Sequence, residues 1–268
     1  MREFLKRSIT GILYVFLLLS AVFLNNNDAF DFLFLIFGLA CIYEFKRIVK
    51  LKGYYVFIGF LALWWIFIYL LQEKAIIRVF LVLSCTVNTV LIVHLFSKKD
   101  IQYSETQKFI ISLFYIGGGS IFLTMIPYIG NHFAKFLIMG IFIIIWVNDS
   151  FAYLVGKTMG RTKLYEKVSP KKTVEGFIGG FVFALIAAYL LWRYDKGLEL
   201  KEWLILAIIV VIAGSLGDLI ESKFKRSAGV KDSGAILPGH GGLLDRLDSL
   251  IFAAPFAYLT LQIFNYVS

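Results

Sequence analysis

Nine apolar runs recur along the chain, near residues 9–24, 29–45, 54–71, 76–96, 108–126, 134–155, 177–192, 203–220 and 249–266. Each is close to the roughly 17–25 residues that carry a helix across a bilayer. Such runs leave little choice of fold. Lipid offers no hydrogen bonds to backbone amides and carbonyls, so each segment must satisfy its own backbone as a helix. The first two runs are short and are separated only by Asn25-Asn26-Asn27-Asp28, the turn of a tight helical hairpin. That turn holds no A-x-A-like site, which argues against a cleavable signal peptide. The expected architecture is all-α, a polytopic membrane bundle of about nine transmembrane helices forming one integral membrane domain over 1–268. Within it, 1–130 supplies the N-terminal spans. Residues 134–268 form a catalytic half with cytosolic loops at 156–176 and 221–248.

Composition closes off the other classes. Apolar residues make up 59% of the chain and charged residues 17%, against roughly 45–50% and 25% in a soluble domain. A soluble fold would have to expose the surplus, and a disordered chain needs low hydrophobicity. Loop charge sets the orientation. The segments 1–8, 46–53, 97–108, 156–176 and 221–248 hold 21 Lys and Arg, and the alternate segments hold 6. Positive residues stay on the cytosolic side, so the N-terminus is expected in the cytosol and the C-terminus outside. The net charge of +9 is then explained by topology and anionic lipid, with no nucleic-acid motif in view. Cys41 and Cys85 lie inside apolar runs without a CxxC or Cys/His cluster, which excludes a zinc site or disulfide frame. His94 and His132 read as structural or interfacial. Spans one to five carry almost nothing ionisable and read as packing and lipid-facing surface.

The polar chemistry crowds into the second half. Asp149, in Trp146-Val147-Asn148-Asp149-Ser150, sits near the cytosolic end of span six. A carboxylate there costs about 2.5–3.5 kcal/mol on insertion scales, so it faces the bundle interior or a wet cavity. Ser169-Pro170 suits a helix N-cap and first turn. That places Lys171, Lys172 and Thr173 at the N-terminus of span seven, where cations make sense if an anion is held there. In Gly217-Asp218-Leu219-Ile220-Glu221-Ser222, Asp218 shares a helical face with Glu221 and Ser222. The loop Pro238-Gly239-His240-Gly241-Gly242 exposes amides in a phosphate-cradling geometry. Asp245 and Asp248 follow on one face of span nine.

Four acids (Asp218, Asp232, Asp245, Asp248) and five bases (Lys223, Lys225, Arg226, Lys231, Arg246) within some thirty residues exceed what topology requires. An all-oxygen acid set favours Mg²⁺, which takes one or two carboxylates and leaves the rest to phosphates and water. Clustered Lys and Arg beside it point to a polyphosphate substrate. There is no GxxxxGK[ST], so this is not a P-loop. The residues alone suggest Mg²⁺-dependent phosphoryl or nucleotidyl transfer at the cytosolic face.

Residues 222–248 read S-x-F-K-R-x4-K-D-S-G-x-x-L-P-G-H-G-G-L-x-D-R-L-D. This resembles the signature of the phosphatidate cytidylyltransferases (CDP-diacylglycerol synthases), without departure over its 27 positions. Ser169-Pro170-Lys171-Lys172-Thr173 with Glu175-Gly176, and Asn148-Asp149 with Gly156-Lys157, are similar to the family's other landmarks. The resemblance is sharp over about 145–250; the first five spans match only in hydropathy. It implies that CTP and phosphatidic acid give CDP-diacylglycerol and pyrophosphate, in an integral membrane protein of a bacterial inner (plasma) membrane that requires Mg²⁺. It also implies a homodimer. Metals are assigned first to Asp218 and Asp245, which flank the loop from two helices. Asp149, Asp232, Asp248 and Glu221 follow, and a second cation is allowed. Lys171, Lys172, Lys225, Arg226, Lys231 and Arg246 would clamp phosphates, with His240 contacting phosphate or protonating a leaving oxygen. Ser169, Thr173, Ser222, Gly239, Gly241 and Gly242 complete the expected substrate contacts.

Two rival readings stay open. One is a related lipid kinase or cytidylyltransferase with another lipid acceptor. The other is an ion or phosphate transporter, motivated by Asp149. A CDP-alcohol phosphotransferase expects a D-G-x2-A-R-type motif, which the chain lacks.

Overall fold

All nine apolar runs are helical in the computed structural model, which describes residues 2–24, 27–71, 73–97, 102–130, 133–195, 197–237, 239 and 241–267, with side chains over 11–264 of these. The helices are α1 (Arg2–Phe23), α2 (Asn27–Val49), α3 (Tyr55–Trp65, continued by a π-helical turn Ile66–Leu70) and α4 (Lys74–Phe96). Next come α5 (Glu105–Ile111), a π-helical stretch Ser112–Gly117 and α6 (Gly118–Met125), stacked as one rod. The second half holds α7 (Lys135–Met159), α8 (Val174–Tyr194), α9 (Leu200–Ser227) and α10 (Leu244–Val267). Among the described residues, six helical segments are long and apolar enough to cross a membrane: α4, Glu105–Tyr128, α7, α8, α9 and Leu244–Phe264. The apolar parts of α1 (Gly11–Phe23) and α3 (Tyr55–Leu70) are shorter, and α2 carries Asp28, Asp31, Glu44, Lys46 and Arg47. The protein is an all-α polytopic membrane protein.

Burial separates the middle of the bundle from its rim. The apolar stretches of Glu105–Tyr128 and Leu244–Phe264 are 78% and 72% buried, those of α4 and α8 only 28%. The rim helices turn Val79, Val82 and Val93, and Ile178, Val182 and Ile186, outward, as lipid contact allows. Hydrophobicity does not pull helices together inside lipid, so close packing relies on small residues. Gly119 of α6 lies against α10 so tightly that a Cβ would overlap the Ile251 carbonyl oxygen. Gly176 and Gly180 of α8 likewise press against the Ala152 and Asn148 carbonyls of α7.

The loop before α8 departs from expectation. Ser169 does not cap the helix. Ser169–Thr173 forms strand β2, paired antiparallel with β1 (Lys163–Tyr165), with Lys163 opposite Thr173 and Tyr165 opposite Ser169. Pro170 is tolerated because a two-stranded ribbon has open edges. The cap falls on Thr173, whose Oγ1 accepts the Gly176 N–H at 3.1 Å. Glu175, in the first turn, accepts the Arg161 and Thr162 N–H groups at 3.0 and 3.1 Å, which closes the hairpin onto the helix start. Lys171 and Lys172 therefore precede α8 on a strand.

Span two also differs. Asp31 and Glu44, both in α2, are buried at 6% and 1% exposure. Tyr128 donates to Asp31 at 2.8 Å. Glu44 reaches the start of α10.

Candidate active site

A cleft of roughly 930 Å³ opens among α1, α7, the β-hairpin and the facing ends of α8, α9 and α10. The predicted charged groups in it come from four elements. Asp149 comes from α7, Lys171 and Lys172 from β2, Asp218 from α9, and Asp245, Arg246 and Asp248 from the first turns of α10. Gly11, Tyr14 and Val15 of α1, with Trp146 and Tyr153 of α7, give the cleft its apolar lining.

Lys172 is the electrostatic centre. Its Nζ lies 2.5 Å from Asp218 Oδ2, and Ser222 Oγ donates to Asp218 Oδ1 at 3.3 Å. Asp248 and Asp149 line the same cleft. Burial pulls the Lys172 pKa down, but Asp218, Asp248 and Asp149 outweigh it and hold it above the ordinary lysine value. Asp149 accepts from Asn148 Nδ2 at 3.2 Å. Asp248 accepts the Ser249 N–H at 2.7 Å.

Asp245 is held differently. Its carboxylate accepts from Lys225 Nζ at 2.6 Å, from the Ser233 N–H at 3.0 and 3.1 Å, and from the Gly242 N–H at 2.8 Å. Asp245 thus staples both ends of the 231–243 loop to α10 while still lining the cleft. Lys225 also pairs with the buried Glu221 one turn back on α9.

Several predicted phosphate ligands stand elsewhere. Lys225 does not line the cleft. A buried carboxylate, Glu221, and a partly buried one, Asp245, need a counter-charge, and breaking a buried pair costs about 3–5 kcal/mol, so Lys225 is committed to both. Arg226 donates to the Val230 carbonyl at 2.9 Å and closes the turn after α9. Lys231 and Asp232 are exposed on the loop. Glu221, Ser169, Ser222, Gly239, Gly241 and Gly242 also lie outside the lining set. Gly239 and Gly241 have φ of 81° and 88°, a left-handed backbone that glycine adopts without strain. His240 and Pro238 lie outside the described residues, as does His132.

The cleft suits a divalent cation of the magnesium type. The acids bear oxygen ligands only, and a lysine ammonium already pairs with Asp218 in the cleft that Asp149 and Asp248 also line. Among the described residues, no three of His, Cys, Asp and Glu form a cage of their own. The protein would thus lend a carboxylate or two and leave other positions to phosphate and water, the pattern of Mg²⁺.

Sequence reasoning missed Glu44. The signal was present: a glutamate inside the apolar run 29–45, followed by Lys46-Arg47. It was masked because charges near a span's end read as anchoring.

The model of the "Cytidylyltransferase family" matches residues 5–264. A phosphatidate cytidylyltransferase of Bacillus subtilis is 35% identical over 271 aligned positions, covering 97% of this chain and 98% of the relative. Enzymes of the same name from Staphylococcus saprophyticus and Staphylococcus aureus are 41% and 42% identical, each covering 69% of this chain and 67% of the relative. The match spans the α1 wall, the hairpin and the acids of α7, α9 and α10 together, and the chain belongs to the cytidylyltransferase family.

Proposed function

We propose that the protein transfers CMP from CTP to phosphatidic acid, giving CDP-diacylglycerol and pyrophosphate. The observation that carries this reading is the Lys172 ammonium paired with Asp218 in a cleft that Asp149 and Asp248 also line, beside an apolar wall. Family membership supplies the substrates.

The residues divide the work. A lipid phosphate oxygen attacks the α-phosphorus of CTP, a new P–O bond forms, and the bond to pyrophosphate breaks. A phosphomonoester has a second pKa of about 6, so its oxygen is already ionised and needs no strong base. Lys171, Lys172 and Arg246 hold the phosphates and neutralise charge. Arg246 offers a planar fork for two phosphate oxygens. Asp218 and Asp245 would hold Mg²⁺, with Asp149 and Asp248 close by to hold a second cation. Bound there, Mg²⁺ would neutralise the charge that grows on the leaving pyrophosphate. Lys225 keeps Asp245 in place. The apolar wall of α1 suits the acyl end of the lipid.

The orientation in this reading is nine spans with the N-terminus and the cleft in the cytosol, in the plasma membrane of a bacterium. The 21 to 6 loop asymmetry supports it. We also take the assembly to be a homodimer, which light scattering in detergent tests.

The first experiment uses purified protein in detergent with phosphatidic acid, labelled CTP and Mg²⁺. CDP-diacylglycerol that disappears with EDTA is the expected result. Folded protein that forms no product would overturn the reading, and a screen of other lipid acceptors would follow.

A further inference from the structure

We infer that Glu44, a residue of α2 remote in sequence from every motif, is a positioning residue that clamps the 231–243 loop and thereby sets the Asp245 carboxylate. The inference rests on the proposed function, in which Asp245 serves the reaction. Glu44 is 1% exposed. Its Oε2 accepts the Ser233 hydroxyl at 3.0 Å and the Leu244 N–H, at the first residue of α10, at 2.8 Å. Its Oε1 is buried without a hydrogen-bond partner.

The contacts interlock with those of Asp245. Ser233 gives its hydroxyl to Glu44 and its N–H to Asp245. Gly242 gives its N–H to Asp245, and Leu244 gives its own to Glu44. Two carboxylates, one from each half of the chain, therefore grip both ends of one loop. The loop is shaped for this grip. A Cβ on Gly234 would come within 2.8 Å of the Glu44 carboxyl carbon, and one on Gly242 within 2.7 Å. A side chain at either point would push the Glu44 carboxylate out of this position. A carboxylate at the start of α10 also complements the free amides and positive end of that helix. Lys225 anchors Asp245 from α9, but it fixes neither Ser233 nor the α10 start. Glu44 supplies the remaining constraint.

Removal of a group that orients a metal-binding carboxylate typically lowers metal affinity or activity by about 10–100-fold. The test compares Glu44→Gln and Glu44→Ala in full-length protein. Gln keeps an oxygen that accepts from Ser233 and Leu244; Ala keeps none. Hydrogen–deuterium exchange without metal or substrate is read over 231–244 and over the core helices. Glu44→Ala is expected to raise exchange in 231–244 alone. It should also raise the Mg²⁺ concentration for half-maximal turnover by about tenfold or more, with KM for CTP at saturating Mg²⁺ little changed. Glu44→Gln should stay near the parent protein in both. Ser233→Ala, which removes one of the two bonds, should give a smaller rise in exchange.

Unchanged exchange over 231–244 in Glu44→Ala would overturn the clamp. Raised exchange with an unchanged Mg²⁺ curve would overturn the positioning role. A Glu44→Gln protein as impaired as Glu44→Ala would overturn hydrogen-bond acceptance as the mechanism. An inactive parent protein would sink the functional reading by itself, and the exchange experiment would still decide the clamp.

Discussion

At the residue scale, the Lys172 ammonium pairs with Asp218, and Asp149 and Asp248 add their negative charge in the same cleft. Removing either sign leaves the other exposed to its own repulsion. Asp218→Asn is expected to cut turnover by about 10²–10³-fold, the scale of losing one preorganised electrostatic group, while the protein still inserts and purifies. A near-normal kcat would remove Asp218 from the cation site. Lys172→Ala should raise KM for CTP far more than Lys171→Ala. Both lysines line the cleft, but of the two only Lys172 meets Asp218. Equal effects in steady-state kinetics would return both lysines to general anchoring. That non-equivalence was not legible in the sequence, where Ser169-Pro170 looks like a helix start. The acids were legible, because charge inside an apolar run is costly enough to mark function. Which acid does what was not. The duties of Asp218 and Asp245 differ by their partners, Lys172 in one case and Lys225 with two backbone amides in the other.

At the scale of elements, hydropathy located the helices and missed the joints. Each apolar run became a helix because lipid permits nothing else. The β-hairpin escaped notice because it is short, polar and set by the pairing of Lys163–Tyr165 with Ser169–Thr173, a non-local contact without a periodic signal. The seam between α6 and α10 was equally silent. A glycine in a Gly-Gly-Gly run reads as looseness, yet a Cβ on Gly119 would overlap α10 at Ile251. Gly119→Val is expected to prevent that approach and to lower the yield of folded protein or its Tm sharply. Overpacking typically costs about 1–3 kcal/mol, and here the obstructing atom is backbone, which cannot rotate away. A thermal melt in detergent that matches the parent protein would refute the seam.

At the scale of the whole molecule, orientation is the open quantity, and the loop charges make a definite forecast. In a variant with Cys41 and Cys85 replaced, a cysteine at exposed Lys167 should be shielded from an impermeant thiol reagent in intact cells. One at exposed Tyr194 should be labelled. The reverse pattern would invert the topology and put the cleft outside. Contacts at this scale tie the N-terminal spans to the half that carries the motifs. All the acids that line the cleft lie after residue 134, but the carboxylate that closes their loop is Glu44 of α2, and the surface that seats α10 is Gly119 of α6. The consequence concerns how such a chain can vary over time. The early helices look free to exchange one greasy residue for another. At Glu44 and Gly119 they are bound to a motif they do not belong to, so a swap of N-terminal halves between relatives would have to carry these two positions with it.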